Sequence, residues 1–373
     1  MSKTWEDALK GWVIVSAAVV DDTTFAFSAN WDETYHGPTL PSDVTDRLVY
    51  CDLKAATWGG KKYNGGFSFA RSAGGVTPEG LSQALFATAG GYVSSFTFPD
   101  GPFGMEADMS ARGAANLFFA GAHYYTYGLG NTFLRRNRPG DWTIISEATG
   151  SRVEQRRAGN ITAGGGFSDD DIYLWNSGPL DGDPEDVIGH LLHWDGKSLT
   201  KLPVPAQLSK GIDGSPFWAH SICCVPDGRV FLSGTDGELV VGNRKTGFKV
   251  LVPALDEHLP GMNMAWFKGK LYGAIDFGLF SFDFKRNRWV GEPFLGDPNA
   301  PVNFPYIDAN ENVMLVAGGY GASIYDGERW ARLAGDVSAL DLTRLQLMEK
   351  LAGDTVTLRD IMRDLVEGQG SAS

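Results

Sequence analysis

The sequence predicts an all-β fold, a seven-bladed β-propeller of four-stranded antiparallel blades followed by a short C-terminal helical tail. Three observations predict it. A short apolar string ending in small residues recurs seven times along the chain. Each recurrence follows a polar or glycine-containing turn, and further strand-and-turn units downstream carry aromatic residues. Internal repetition at a blade-like period is the signature of radial β architectures.

The strings are Phe25-Ala-Phe-Ser-Ala, Leu85-Phe-Ala-Thr-Ala-Gly, Leu117-Phe-Phe-Ala-Gly, Ile172-Tyr-Leu-Trp-Asn, Val230-Phe-Leu-Ser-Gly, Leu271-Tyr-Gly-Ala-Ile and Val313-Met-Leu-Val-Ala-Gly. All seven are expected at the second strand of a blade. The last two steps match a blade period of roughly 40 to 50 residues, wider steps coincide with loop insertions, and the step from Leu85 to Leu117 is the shortest. The preceding turns are Asp21-Asp22, Glu79-Gly80, Arg112-Gly113, Asp169-Asp170, Asp227-Gly228, Gly269-Lys270 and Asn310-Glu311-Asn312. Pairs of this kind supply the positive φ of tight hairpins. The clearest unit predicts strands at 221–225, 229–233, 238–242 and 248–252, with the alternation of antiparallel strands. The predicted division is a lead-in over 1–11, the propeller over 12–336 and the tail over 337–373. In the tail, Ser338-x-x-Asp341 opens one amphipathic helix, and Leu358, Ile361, Met362 and Leu365 mark a second.

Of the 373 residues, 43% are hydrophobic and 21% charged, the balance of an ordinary globular chain. No apolar run reaches the roughly 20 residues of a membrane span. The N-terminal stretch has acidic residues and no apolar core, which predicts no secretory signal and a cytoplasmic location. Cys51, Cys223 and Cys224 make a poor disulfide framework and fit a reducing compartment. A net charge of −13 opposes binding to nucleic acid or an anionic membrane and favours encounter with basic proteins.

Two insertions stand out, residues 31–42 after the second strand of the first blade and 177–187 at the equivalent place in the fourth. Equivalent insertions emerge on one face of a propeller, where ligands bind. A third segment, Tyr124-Tyr-Thr-Tyr-Gly-Leu-Gly130, reads as a Tyr- and Gly-rich loop. The predicted partner-binding residues are Trp31, Tyr35, Tyr124, Tyr125 and Tyr127 as aromatic anchors, with Asp32, Glu33, Asp181, Asp183, Glu185 and Asp186 supplying charge.

No catalytic, metal-binding or cofactor-binding residue is assigned. GxSxG, HExxH and P-loop patterns are absent. The glycine runs Ala163-Gly-Gly-Gly-Phe167 and Ala317-Gly-Gly-Tyr-Gly321 lack the phosphate-loop spacing. His190 and His193 stand three apart on a strand and face opposite sides, which excludes a shared metal. His123 and His220 lie near core strands, and Asp21, Asp108, Asp236, Asp276 and Asp308 are acids that blade geometry can bring to the channel.

The units Leu192-His-Trp-Asp-Gly-Lys-Ser-Leu199 and Ser323-Ile-Tyr-Asp-Gly-Glu-Arg-Trp330 resemble the blade ends of kelch-like and other bacterial propellers. The resemblance spans Trp12 to Leu333. The strict kelch double glycine is not kept in every blade, and the Gly-His…Trp-Asp signature of WD repeats is missing. Divergent propellers of this kind are similar to immunity or inhibitor proteins of antibacterial toxins. The resemblance implies a protein-binding propeller whose partner is a basic toxin domain. The alternatives are a lactonase- or lyase-type enzyme with a channel-end site and a structural scaffold.

Overall fold

The computed structural model describes residues 4–36, 45–64, 70–88, 91–99, 101, 103–109, 112–147, 159–178, 189–205, 208, 217–254, 261–276, 278–292, 297, 299–301 and 305–335. They form seven four-stranded antiparallel sheets, each a simple meander of consecutive strands. The blades occupy 12–64, 71–108, 114–146, 160–202, 219–252, 263–291 and 305–334. The first strand of each blade packs against the first strands of its neighbours, and blade 7 returns to blade 1. The protein is a closed seven-bladed propeller. The predicted helical tail lies outside the described residues.

The second strands show why the apolar string repeats. Val230–Gly234 and Met314–Gly318 are buried at every position. A strand covered on both faces reads as a continuous apolar run and not as an alternation. Six of the seven strings form second strands. The string at Leu117 is a correction: it lies in the first strand of blade 3, Ala114–Ala120. The second strand there is His123–Gly128, whose tyrosines disguise it as a loop.

A hydrophobic cluster fills each of the seven seams between blades. The aromatic of the fourth strand belongs to these seams. Trp289 is buried among Phe282, Met262 and Met264, and Trp330 stacks on Tyr325 at 4.8 Å beside residues of blade 6. Some buried polar groups in the seams are paired across blades. Arg136 of blade 3 meets Glu106 of blade 2 through two hydrogen bonds of 2.6 and 2.8 Å, and donates a third to Gln83 at 2.8 Å.

The seam between blades 7 and 1 closes the ring, and among the described residues no sheet there mixes strands from the two ends of the propeller. Trp12, Ile14, Phe27 and Trp58 pack against Leu315, Ala317 and Leu333. Ile14 donates its N–H to the Gly319 carbonyl at 2.7 Å. Val19 donates to the Asp308 carboxylate at 2.8 Å, and both Asn310 and Asn312 donate to Asp22 at 2.9 Å. Residues before the propeller help. Helix α1 (Trp5–Leu9), N-capped by Thr4, buries Ala8 and Leu9 in this seam. Arg47 holds its C-terminal end by donating to the carbonyls of Asp7 and Ala8, both at 2.8 Å. The lead-in is part of the closure.

The inner strands converge at the axis and leave little room for side chains. A Cβ on Gly74 would run into the Val19 carbonyl of blade 1. The Gly164-Gly165-Gly166 run has the same cause in the first strand of blade 4, Asn160–Ser168. A Cβ on Gly165 would stand 2.9 Å from the Ile222 carbonyl.

Gly74→Ala is therefore expected to cost about 1–3 kcal/mol, the usual penalty of overpacking. Gly104→Ala, on the outer strand of blade 2 with nothing within 4 Å, is expected to be neutral or slightly stabilising. Urea denaturation of both variants checks the contrast.

Candidate functional site

The meander puts two kinds of connection on one face, here the front: those between second and third strands, and those between blades. Both insertions leave from it, since they follow the second strands Thr24–Trp31 and Asp171–Ser177. Residues 37–44 lie outside the described residues. So do Asp181, Asp183, Glu185 and Asp186 of the second insertion.

The start of the first insertion is ordered by its own backbone. The Asp32 carbonyl accepts the N–H groups of Tyr35 and His36, and the Asp32 N–H donates to the Gly11 carbonyl. This turns the chain into the single-turn helix α2 (Glu33–His36). Gly11, at φ +79°, lets the two segments touch; a Cβ there would strike Tyr35 and His36. Trp31 stacks on His36 at 4.0 Å and meets Trp12 edge-on at 5.7 Å. Cations cover the same aromatics, with Arg47 4.5 Å from the Trp12 ring and Lys62 5.6 Å from Trp31. Trp31 is thus half-buried and Asp32 buried, while Glu33 is exposed and Tyr35 is 57% exposed. A cavity of about 220 Å³ opens here across the closing seam, lined by Trp5, Leu9, Trp12, Ile14, Asp32, Tyr35 and Tyr320 among others.

Tyr124, Tyr125 and Tyr127 need correcting. They sit in a strand and not in a loop, at 1%, 0% and 8% exposure. Each hydroxyl has a partner that makes burial tolerable. Tyr124 donates to the Gln83 carbonyl at 2.5 Å, Tyr125 to the Asp169 carboxylate at 2.8 Å, and Tyr127 is bonded to the Gly164 backbone. As placed, these rings offer no surface to a partner.

Two exposed aromatics on the front face escaped the sequence reading. Tyr320 is 54% exposed and Trp218 is 44% exposed. Tyr320 lies between Gly319 and Gly321 in a hairpin turn, where no neighbouring side chain covers it. Trp218 sits between the buried Phe217 and Ala219, so simple alternation turns it outward. Those two patterns were the available signals.

Behind the front face runs a channel cavity of about 1960 Å³ lined by the first strands. Arg71, Ser72, Asn116, Thr162, His220, Asn263, Tyr306 and Asp308 face it, with Asp276 at the front. Burial, and secondarily the charge of Arg71, pushes His220 down to about 4, so its imidazole is neutral. Burial pushes Asp308 up to about 6, although the Val19 and Ala309 N–H groups favour its charged form. Cys223 is pushed up to about 12 by burial, far from a reactive thiolate.

The remaining expected residues divide. His220, Asp21, Asp276 and Asp308 line the channel, whereas His123 pairs with Asp169 at 2.8 Å on the back face. His193 pairs with Asp171 at 2.8 Å, and His190 is buried in the same strand, His190–Trp194. Among the described residues no three His, Cys, Asp or Glu side chains are grouped to hold a metal.

No family model matches the sequence. The chain is similar to the immune protein Tsi7 of Pseudomonas aeruginosa, 24% identical over 268 residues, which is 69% of this chain and 78% of Tsi7. Solved structures share the fold. The WD40 propeller of Doa1 aligns with a TM-score of 0.51 at 14% identity, covering 88% of this chain and 94% of Doa1. The propeller of the trilobed protease from Pyrococcus furiosus, described as having an open velcro topology, aligns at 0.52 with 13% identity over 87% of this chain and 96% of that one. YCF48 bound to a D1 peptide aligns at 0.53 with 12% identity over 88% and 94%. These neighbours, one of them a WD40 propeller, give no support to a specifically kelch-like repeat.

Two outcomes follow. Tyr124→Ala is expected to cost about 3–5 kcal/mol, as for other buried aromatics, and Tyr35→Ala less than about 0.5 kcal/mol; thermal and urea melts separate them. The channel groups give a pH test. Asp308, raised when folded, contributes stability that is lost as pH rises from about 4 to about 6. His220, lowered when folded, contributes stability that is lost as pH falls from about 6.5 to about 4. Asp308→Asn should therefore make stability climb more steeply with pH in this window, and His220→Gln should make it fall, each by on the order of 1–2 kcal/mol. Melts between pH 4 and 7 with unchanged slopes in both variants would contradict the assignments.

Proposed function

We propose that this chain is an immunity protein, a propeller that neutralises a toxin by direct binding. The observation that carries the reading is the likeness to an immune protein over more than two thirds of both chains. The front face supports it, because Tyr35 and Tyr320 present broad, exposed aromatic area beside a small cavity. Aromatics of this kind anchor interfaces, since they bury much area for few rotatable bonds. The net charge of −13 suits a basic toxin domain, and exposed acids such as Glu33 would steer its approach. The acids of the second insertion, Asp181, Asp183, Glu185 and Asp186, are included in the proposal for their charge alone. Three free cysteines, two of them fully buried, fit action in the reducing cytoplasm.

The test is co-expression with candidate toxins, beginning with the products of the genes next to this one. Growth rescue and a stable complex on gel filtration are expected. Association should slow steeply with added salt, because exposed charges are screened within about 8 Å at physiological ionic strength. Tyr35→Ala and Tyr320→Ala should instead speed dissociation by about tenfold each. A complex that ignores salt and tolerates changes at Trp31, Tyr35 and Tyr320 would place the interface elsewhere.

A further inference from the structure

Arg71 opens the first strand of blade 2, Arg71–Val76, at the front mouth of the channel. Its charge is felt by Tyr127 of blade 3, His220 of blade 5 and Tyr306 of blade 7. Groups on three separated blades can share one guanidinium only if it projects into the bore. Its guanidinium donates to the Val15 carbonyl of blade 1 at 3.4 Å, and Tyr306 and His220 line the same cavity. Among the described residues no carboxylate forms an ion pair with it. A guanidinium carries five N–H donors in a planar fork, and the exposed Arg71 side chain leaves most of them open at the channel mouth. The chain has 45 acidic residues against 32 basic ones, so a shortage of acids does not explain this.

We propose that the front mouth of the channel is a carboxylate site, with Arg71 as its bidentate anchor and Tyr306 and His220 beside it. The fork matches a carboxylate in shape and charge. The neutral imidazole and the phenol offer hydrogen bonds without a competing positive charge. Asp276 lies at the same mouth, within electrostatic reach of Tyr306. It opposes a second negative charge on the ligand, so a monocarboxylate is favoured over a phosphate dianion. Trp218, two residues before His220 on the rim, gives the rest of the ligand an aromatic surface. The carboxylate comes either on a small molecule or on an acidic side chain of an incoming polypeptide. This site does not depend on the toxin-binding reading, which can stand or fall on the aromatics at the closing seam.

The experiment is ligand-observed NMR titration of the full chain with three probes: acetate, a blocked Gly-Asp-Gly peptide amide, and inorganic phosphate. Saturable binding of acetate or the peptide is expected, with phosphate weaker. Arg71→Gln should weaken carboxylate binding by between about tenfold and a hundredfold, the usual worth of hydrogen bonds to a charged group. Arg71→Lys, which keeps the charge but loses the fork, should weaken it less, and its melting temperature controls for folding. Peptide binding well above acetate supports a polypeptide source, and equal binding a small-molecule one. No saturable binding by any probe, equal binding by Arg71→Gln, or tighter binding of phosphate would overturn the proposal.

Discussion

Apolar packing between blades is the interaction on which everything else in this molecule depends. A four-stranded sheet alone has two faces to cover and cannot bury either by itself. Each blade here covers both by leaning on its neighbours, and seven clusters result. No blade is stable without the next, so the ring must close. Among the described residues the closing seam has no strand from one terminus completing a sheet of the other. It relies on apolar packing, on a few hydrogen bonds such as Ile14 to Gly319, and on α1 as an outside brace.

The same constraint decided what could be read from the sequence. Second strands are enclosed on both sides, so they must be apolar throughout, and six of them stood out as strings. Blade 3 solved the problem differently. Its second strand buries three tyrosines and satisfies each hydroxyl across a seam, a solution that looks polar in one dimension. The seam partners, Gln83, Asp169 and Gly164, lie on other blades and leave no local trace. The purpose of the Gly164-Gly165-Gly166 run shows only in the closed ring, where a Gly165 Cβ would stand 2.9 Å from the Ile222 carbonyl of the next blade.

The candidate surface was harder to read because exposure is a property of the closed ring. Tyr35 and Glu33 were chosen for their chemistry and do lie in the open; Asp32, one residue away, is buried because its backbone bridges Gly11 and α2. Tyr320 and Trp218 carry only weak local signals, two flanking glycines and a simple alternation, and exposure of either shows only in the closed ring. Arg71 is a stronger case still. Its setting is made by residues from blades 3, 5 and 7, so no window of sequence contains it.

Structure and proposed function meet at the closing seam. Tyr35 belongs to blade 1 and Tyr320 to blade 7, and the cavity between them is lined by α1 and by both blades. A partner seated there touches both ends of the propeller at once. Whatever binds only the closed ring stabilises it by mass action, in proportion to the logarithm of its concentration over its dissociation constant. A partner that spans this seam therefore couples its binding to closure of the ring. In the proposed function, a ring that a bound partner locks shut would join persistence and binding in one surface.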